Sequence, residues 1–168
     1  MPQRQIFTVG YEGVELRPFL ATLTDAGIKQ VIDVRELPLS RKRGFSKSAL
    51  TVALRDSGIR YLHLRELGDP KPGREAARRG DHAGFLSIYL RHLAGADAQV
   101  ALAEATRQAR AMRSCLLCFE RHSAGCHRKI VAEAMAADTG MDLVHLHVDQ
   151  DRRPSKMGID ERASSYLW

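Results

Sequence analysis

The sequence predicts a single α/β domain in which a mostly parallel five-stranded sheet carries helices on both faces. Short apolar runs typical of strands alternate with segments whose apolar residues recur at helical spacing. Strands and helices that alternate in this way form right-handed crossovers into a parallel sheet, covered by helices on each side. The length of 168 residues also suits one domain with one core.

Five segments have the composition of strands, and the first, second and fourth are apolar enough to be central in the sheet. In chain order they are Ile6–Gly10, Gln30–Arg35, Ile59–Leu64, Ser114–Glu120 and Asp142–Val148. We expect the order three-two-one-four-five across the sheet, with two-one-three-four-five as the alternative. A ligand would then bind beyond the carboxyl ends of the strands, near the switch point between strands one and four.

Five further segments have helical periodicity, and several of them end on glycine. They are Glu15–Gly27, Ser46–Gly58, Phe85–Leu93, Ala96–Met112 and Cys126–Gly140. Between them, Arg65–Asp81 is rich in Gly, Pro and charge, and we expect a long loop there that covers the site. The domain is expected to span residues 1–149, followed by a polar C-terminal tail over 150–168.

The composition favours a cytoplasmic protein with an anionic partner. Lys and Arg number 26 against 20 Asp and Glu, a net charge of +6 that favours phosphate-bearing ligands, although solubility alone also accounts for it. No apolar run approaches the roughly 20 residues of a membrane helix, and the N-terminus has no signal-peptide pattern. The three cysteines are clustered and odd in number, unlike a secreted disulfide framework.

Polar and reactive side chains follow the predicted strands where each strand ends. Because the carboxyl ends of parallel strands meet at one edge, these residues should converge there. They are Tyr11 after strand one, Asp33 and Arg35 at strand two, Cys118 and Glu120 at strand four, and Cys126, His127 and Arg128 at the following helix start.

Four ordered motifs along the chain resemble the DUF488 family, whose name denotes a domain of unknown function. They read TVGYEG, DVRELPLSRKRGFS, YLHLRELG and CLLCFE…CHRKIVAE, and the resemblance runs from Thr8 to Asp149. It implies a Rossmann-like three-layer α/β fold. It implies no reaction.

The cysteines fall into different classes. Cys115 and Cys118 have C-x-x-C spacing, but alternation along a strand sends them to opposite faces, which disfavours a thioredoxin-type pair and predicts Cys115 as a core residue. Cys118 lies where a Cys-x5-Arg phosphatase has its nucleophile, but Ala124 stands at the arginine position. Cys126 would begin a helix, where the dipole favours an anion or a thiolate.

Two groups of charged residues are candidates for chemistry or binding. Asp33 and Glu120 suit general acid/base work, or they form a polar network that orients loops. Arg128 would grip an anion at the helix start, next to His127, unless these residues are only a helix cap with solvated basic side chains.

The basic loop Ser40–Lys47 offers Ser40, Arg41 and Phe45 for phosphate contact and base stacking, or it is simply solvated. Tyr11 would add a stacking ring or a hydroxyl partner.

The leading hypothesis is binding, with or without turnover, of a nucleotide or other phosphate-bearing ligand at the carboxyl edge of the sheet. Its catalytic candidates are Asp33, Glu120 and Cys126. Its ligand-binding candidates are Tyr11, Arg35, Ser40, Arg41, Phe45, Cys118, His127 and Arg128. A non-catalytic nucleic-acid-binding module and a metal-binding protein using Cys118, Cys126 and His127 are the alternatives; cofactor and oligomeric state stay open.

Overall fold

A computed structural model describes residues 4–151 and confirms the predicted α/β class. Five parallel strands form one sheet between two layers of helices. The strands are β1 (Gln5–Gly10), β2 (Gln30–Asp33), β3 (Arg60–His63), β4 (Ser114–Cys118) and β5 (Asp142–His145). The helices are α1 (Leu16–Asp25), α2 (Lys47–Asp56), α3 (Lys71–Arg78), α4 (His82–Leu93), α5 (Ala96–Ala111) and α6 (His127–Thr139).

The expected strand order is wrong, since the sheet runs β3-β2-β4-β1-β5. The predicted neighbours β2 and β3, and β1 and β4, do pair, but β4 lies between β2 and β1. β1 therefore pairs with β5 on its other side. Every residue of β4 and nearly every residue of β1 is buried, so hydropathy alone does not say which of them adjoins β2.

Two hydrophobic cores fill the spaces on either side of the sheet. On one face Phe7 and Cys115 pack with Phe19 of α1 and Leu54 of α2. On the other face Cys118 and Leu116 pack with the helices α3 to α6. Cys115 and Cys118 thus belong to opposite cores, as strand alternation predicts, and Cys115 is fully buried.

The segment Arg65–Asp81 is not the long loop that its composition predicts. It contains a 3₁₀ turn at Arg65–Leu67 and then α3, whose Ala76 is fully buried. Proline in the first helical turn does not break a helix, because the amide that it lacks has no partner there. If this segment covers the site, it does so as a packed helix and not as a loop.

α6 begins and ends where the sequence indicates. Cys126 is its N-cap, with Sγ accepting from the Arg128 amide, and Gly140 is its C-cap at φ 71°. Across residues 4–151, no helix has both the length and the apolar character needed to cross a bilayer. Residues 152–168, which make up most of the expected C-terminal tail, lie outside the described residues.

Candidate functional site

The central position of β4 brings the ends of three strands together. Cys118 closes β4 beside Gly10 of β1, while Leu117 is paired with Asp33 of β2. The chain after β4 passes so close to β1 that a Cβ on Gly10 would lie 1.7 Å from the Glu120 carbonyl oxygen. Only glycine permits that approach, so Gly10 sets the position of the loop between β4 and α6.

This loop returns Cys126 to the end of β4 and places two thiols in contact. The Sγ atoms of Cys118 and Cys126 are 2.8 Å apart, and both residues are buried. The Cys126 thiol also lies 3.2 Å from Oε2 of Glu120. The metal alternative already placed these two cysteines in one site, but their direct contact was not predicted, because this eight-residue separation is not a C-x-x-C spacing and only the turn makes the contact.

His127 completes the thiol cluster from the first turn of α6. Its Nε2 lies 2.8 Å from the Val34 carbonyl oxygen, which only accepts, so Nε2 carries a proton. Nδ1 consequently faces Cys126, 3.9 Å from Sγ.

Burial alone would lower the pKa of His127, but the hydrogen bond and negative charge of Cys126, with Glu120, raise it above its usual range. Burial likewise opposes ionisation of Cys126, yet hydrogen bonds from Cys118 and His127 lower its pKa. The pair therefore favours thiolate and imidazolium.

Cys118 has the opposite tendency. Burial and the neighbouring Cys126 raise the pKa of Cys118, so it stays a thiol beside the ionised Cys126. For Glu120, burial would raise the pKa, but the His127 charge and a hydrogen bond from the Cys118 thiol lower it. Its carboxylate is therefore ionised.

Arg128 lies beneath the thiols and is 1% exposed. Its Nη1 donates to Cys118 Sγ at 2.9 Å and to the Glu120 carbonyl oxygen at 2.7 Å, while Nε is buried with no hydrogen-bond partner. No carboxylate pairs with it among residues 4–151. The guanidinium thus contacts the neutral Cys118 thiol and is not open to a ligand, in contrast to the predicted anion grip.

A second network surrounds Arg35. Its guanidinium contacts both carboxylate oxygens of Asp33, with Nη2 to Oδ2 at 2.7 Å. Nη1 donates to the Tyr11 hydroxyl and the Phe45 carbonyl, and the Tyr61 hydroxyl donates to Asp33 at 2.6 Å. Asp33 is fully buried, so the structure supports the polar-network interpretation of this carboxylate rather than acid/base work.

A pocket of about 580 Å³ opens at this carboxyl edge. Asp69, Glu120 and His127 lie along its wall together with Tyr11, and Ser40 and Arg41 line it from the basic loop. Arg78 of α3 contributes to the same lining. Several predicted site residues therefore do share one cavity.

Other predicted site residues do not reach the cavity. Phe45 is fully buried and stacks on Tyr11 with ring centroids 4.7 Å apart, so its ring is not available to stack a base. Cys118 and Cys126 lie behind the lining residue Glu120.

Asp69 is a site residue that the sequence analysis missed. It is 6% exposed, and its Oδ1 is buried with no hydrogen-bond partner. Burial raises its pKa to about 6, although the His127 charge opposes that shift. The signal was the Asp-Pro pair of RELGDP at the end of strand three, a segment that reaches the same edge but whose aspartate was given no role of its own.

A divalent metal fits the thiol cluster poorly. The possible donors are Cys118, Glu120 and Cys126, whose ligand atoms lie within 4.8 Å of one another, while His127 is not among them. Tetrahedral zinc needs its two sulfurs roughly 3.7 Å apart, wider than the 2.8 Å found. Arg128 and protonated His127 also supply the positive charge that a cation would add.

Comparison with protein families identifies the chain. A profile described as "Domain of unknown function DUF488" matches residues 15–135. The chain belongs to the DUF488 family. Neither the curated proteins nor the solved structures contain a match to it. The family assignment assigns no activity to this DUF488 chain.

Proposed function

We propose that this DUF488 chain binds a phosphate-bearing small molecule or nucleotide in the pocket, with the phosphate on Arg41 and Arg78. The observation that carries the proposal is that two arginines of the pocket lining are unpaired while two others are held in ion pairs. Arg41 and Arg78 are exposed and have no ion-pair partner within residues 4–151, whereas Arg35 is paired with Asp33 and Arg74 with Glu36. A volume of about 580 Å³ also suits a ligand of nucleotide size.

The ionisable wall supports acid/base turnover of that ligand. Asp69 has a raised pKa and Glu120 a lowered one. Two carboxyl groups whose pKa values differ in this way can serve as acid and base. Asp69 would donate a proton and Glu120 would accept one. In this proposal Asp69 takes the role that the sequence analysis gave to Asp33, and Cys126 acts through the charge that it maintains on His127.

Titration calorimetry at low salt with nucleoside phosphates and sugar phosphates tests the binding. We expect at least one compound to bind and Arg41→Ala or Arg78→Ala to weaken it by about tenfold or more. Arg55→Ala is the matched control, because it removes an exposed arginine paired only with its neighbour Asp56. Absence of binding by every compound, or equal affinity in all three variants, would contradict the proposal.

A nucleic-acid-binding module stays the second candidate. Arg41 and Arg43 on the basic loop and Lys47 at the start of α2 are all exposed, which supports contact with a phosphate backbone. Since Phe45 is buried, such binding would depend on phosphate contacts and fall steeply with salt. Oligonucleotide binding that keeps its affinity in Asp69→Asn and loses it in Arg43→Ala would favour this candidate over the small-molecule pocket.

A further inference from the structure

We propose that Cys118 and Cys126 are a redox-active pair that a hydroperoxide converts into a reversible disulfide bond. The inference does not rest on ligand binding in the pocket. Its basis is the 2.8 Å contact between the two Sγ atoms, both on free cysteines. A disulfide bond is about 2.05 Å long, so a movement of roughly 0.8 Å closes it.

Cys126 is the thiol that attacks the peroxide. Its Sγ accepts the Arg128 amide at the N-terminus of α6, and His127 Nδ1 lies on its other side. Both contacts stabilise a thiolate, the form that reacts. Glu120, which lines the pocket, lies 3.2 Å from this sulfur, so displacement of one side chain gives a small peroxide access.

Cys118 is suited to the second step. It is fully buried, which protects it from direct attack by the oxidant. Arg128 Nη1 donates to its sulfur at 2.9 Å and is held in place by the Glu120 carbonyl oxygen. The guanidinium, which has no carboxylate partner among residues 4–151, stabilises the negative charge that develops as Cys118 loses its proton.

The chemistry balances with hydrogen peroxide as the only co-reactant. The Cys126 thiolate attacks one peroxide oxygen, the O–O bond breaks, and the product is a sulfenic acid plus hydroxide, which takes a proton to give water. The Cys118 sulfur then attacks Cys126 Sγ, and the S–OH oxygen leaves with the Cys118 proton as a second water. Two thiols are oxidised to one disulfide and one peroxide is reduced to two waters.

Peptide mapping of the full-length wild-type chain tests the pair directly. Trypsin cleaves after Arg113, Arg121 and Arg128, so Cys118 and Cys126 fall on different peptides, 114–121 and 122–128. After treatment with hydrogen peroxide, we expect these peptides to appear cross-linked by mass spectrometry and to separate again with dithiothreitol. Two of the three thiols should be lost.

Three variants assign the roles of the cysteines. Cys115→Ser, on the opposite face of the sheet, should keep the cross-link and its rate. Cys118→Ser should stop at a Cys126 sulfenic acid that dimedone traps, and Cys126→Ser should slow thiol loss by about tenfold or more.

Three results would overturn the proposal. The first is wild-type protein without this cross-link at a peroxide concentration that oxidises free glutathione. The second is a cross-link through Cys115 instead. The third is stoichiometric zinc in protein purified without added metal, with both thiols resistant to peroxide until the metal is chelated. Ligand binding to Arg41 and Arg78 is measured separately, so failure here leaves the pocket proposal standing.

Discussion

Two buried arginines at the same sheet edge have opposite electrostatic surroundings. Arg35, on the β2 side, contacts both oxygens of Asp33, and this ion pair is enclosed by Tyr11 and Tyr61. Arg128, on the α6 side, contacts a thiol and a carbonyl oxygen, and its Nε has no partner. The first cation is fixed by a carboxylate, whereas the second donates to the sulfur of a neutral thiol that can be oxidised or lose its proton.

The difference separates a structural site from a reactive one. Burial alone would lower the pKa of Arg35, but the Asp33 carboxylate raises it, so the guanidinium keeps its charge. Around Arg128 the groups have opposing pKa shifts, with Cys126 lowered and Cys118 raised. Groups whose pKa values are driven apart in one small space are the ones that can move protons or electrons.

The largest expected loss of stability comes from breaking the buried Asp33–Arg35 ion pair. Arg35→Met leaves the Asp33 carboxylate buried without its cation, so we expect the free energy of unfolding to fall by about 3–5 kcal/mol. Urea denaturation measures it. Arg55→Met, whose partner is exposed, should change the value by no more than about 1 kcal/mol. A loss for Arg35→Met as small as that of Arg55→Met would contradict the network's structural role.

Replacing the unpaired carboxylate of Asp69 should raise the free energy of unfolding, whereas replacing Arg35 lowers it. Asp69 has a pKa of about 6 in the folded chain against 3.8 without burial, so the folded state binds its proton more tightly than the unfolded state. Wild-type stability therefore falls as pH rises from about 4 to about 6 and stays lower above that range.

Asp69→Asn removes this penalty and should raise the free energy of unfolding at pH 7.5 by about 1–3 kcal/mol. The gain should vanish near pH 4. Urea denaturation at several pH values checks it, with Asp56→Asn as the control that removes an exposed carboxylate instead of a buried one. A pH-independent gain would show that Asp69 is not the group responsible.

Removing the second arginine sharpens the comparison. Arg128→Met deletes two hydrogen bonds but leaves no buried carboxylate without its cation. We therefore expect the free energy of unfolding to fall by about 1–2 kcal/mol, less than for Arg35→Met. The same urea experiment compares the two variants side by side. Equal losses would mean that the Cys118 thiol and the Glu120 carbonyl oxygen hold Arg128 as firmly as the Asp33 carboxylate holds Arg35.

The smallest effect concerns the thiolate itself. Its ultraviolet absorbance, taken as wild type minus Cys126→Ser, should titrate with a midpoint below the usual cysteine pKa of about 8.5. His127→Gln removes the imidazolium, so the midpoint should rise by roughly one pH unit, equivalent to about 1.4 kcal/mol. An unchanged midpoint would show that His127 does not set the charge of Cys126.

Much of the architecture is predictable because it follows from local chemistry. Period-two and helical apolar patterns fix the strands and most helices, and the N-cap at Cys126 and C-cap at Gly140 can be read from residue type. The order of β1 and β4 is not predictable in this way, since both are almost wholly buried. α3 was missed because Pro and Gly in its first turn resemble a loop in composition.

The sequence by itself placed Asp33, Glu120 and Cys126 at the carboxyl edge, because strand ends and a helix start lie there whatever the strand order. It did not determine how those residues combine. In the folded chain, Asp33 forms a buried ion pair, Asp69 is the unpaired carboxylate, and Cys118 contacts Cys126 rather than Cys115. Burial, charge compensation and a single sulfur contact decide these roles, and each depends on distances that only the folded chain sets.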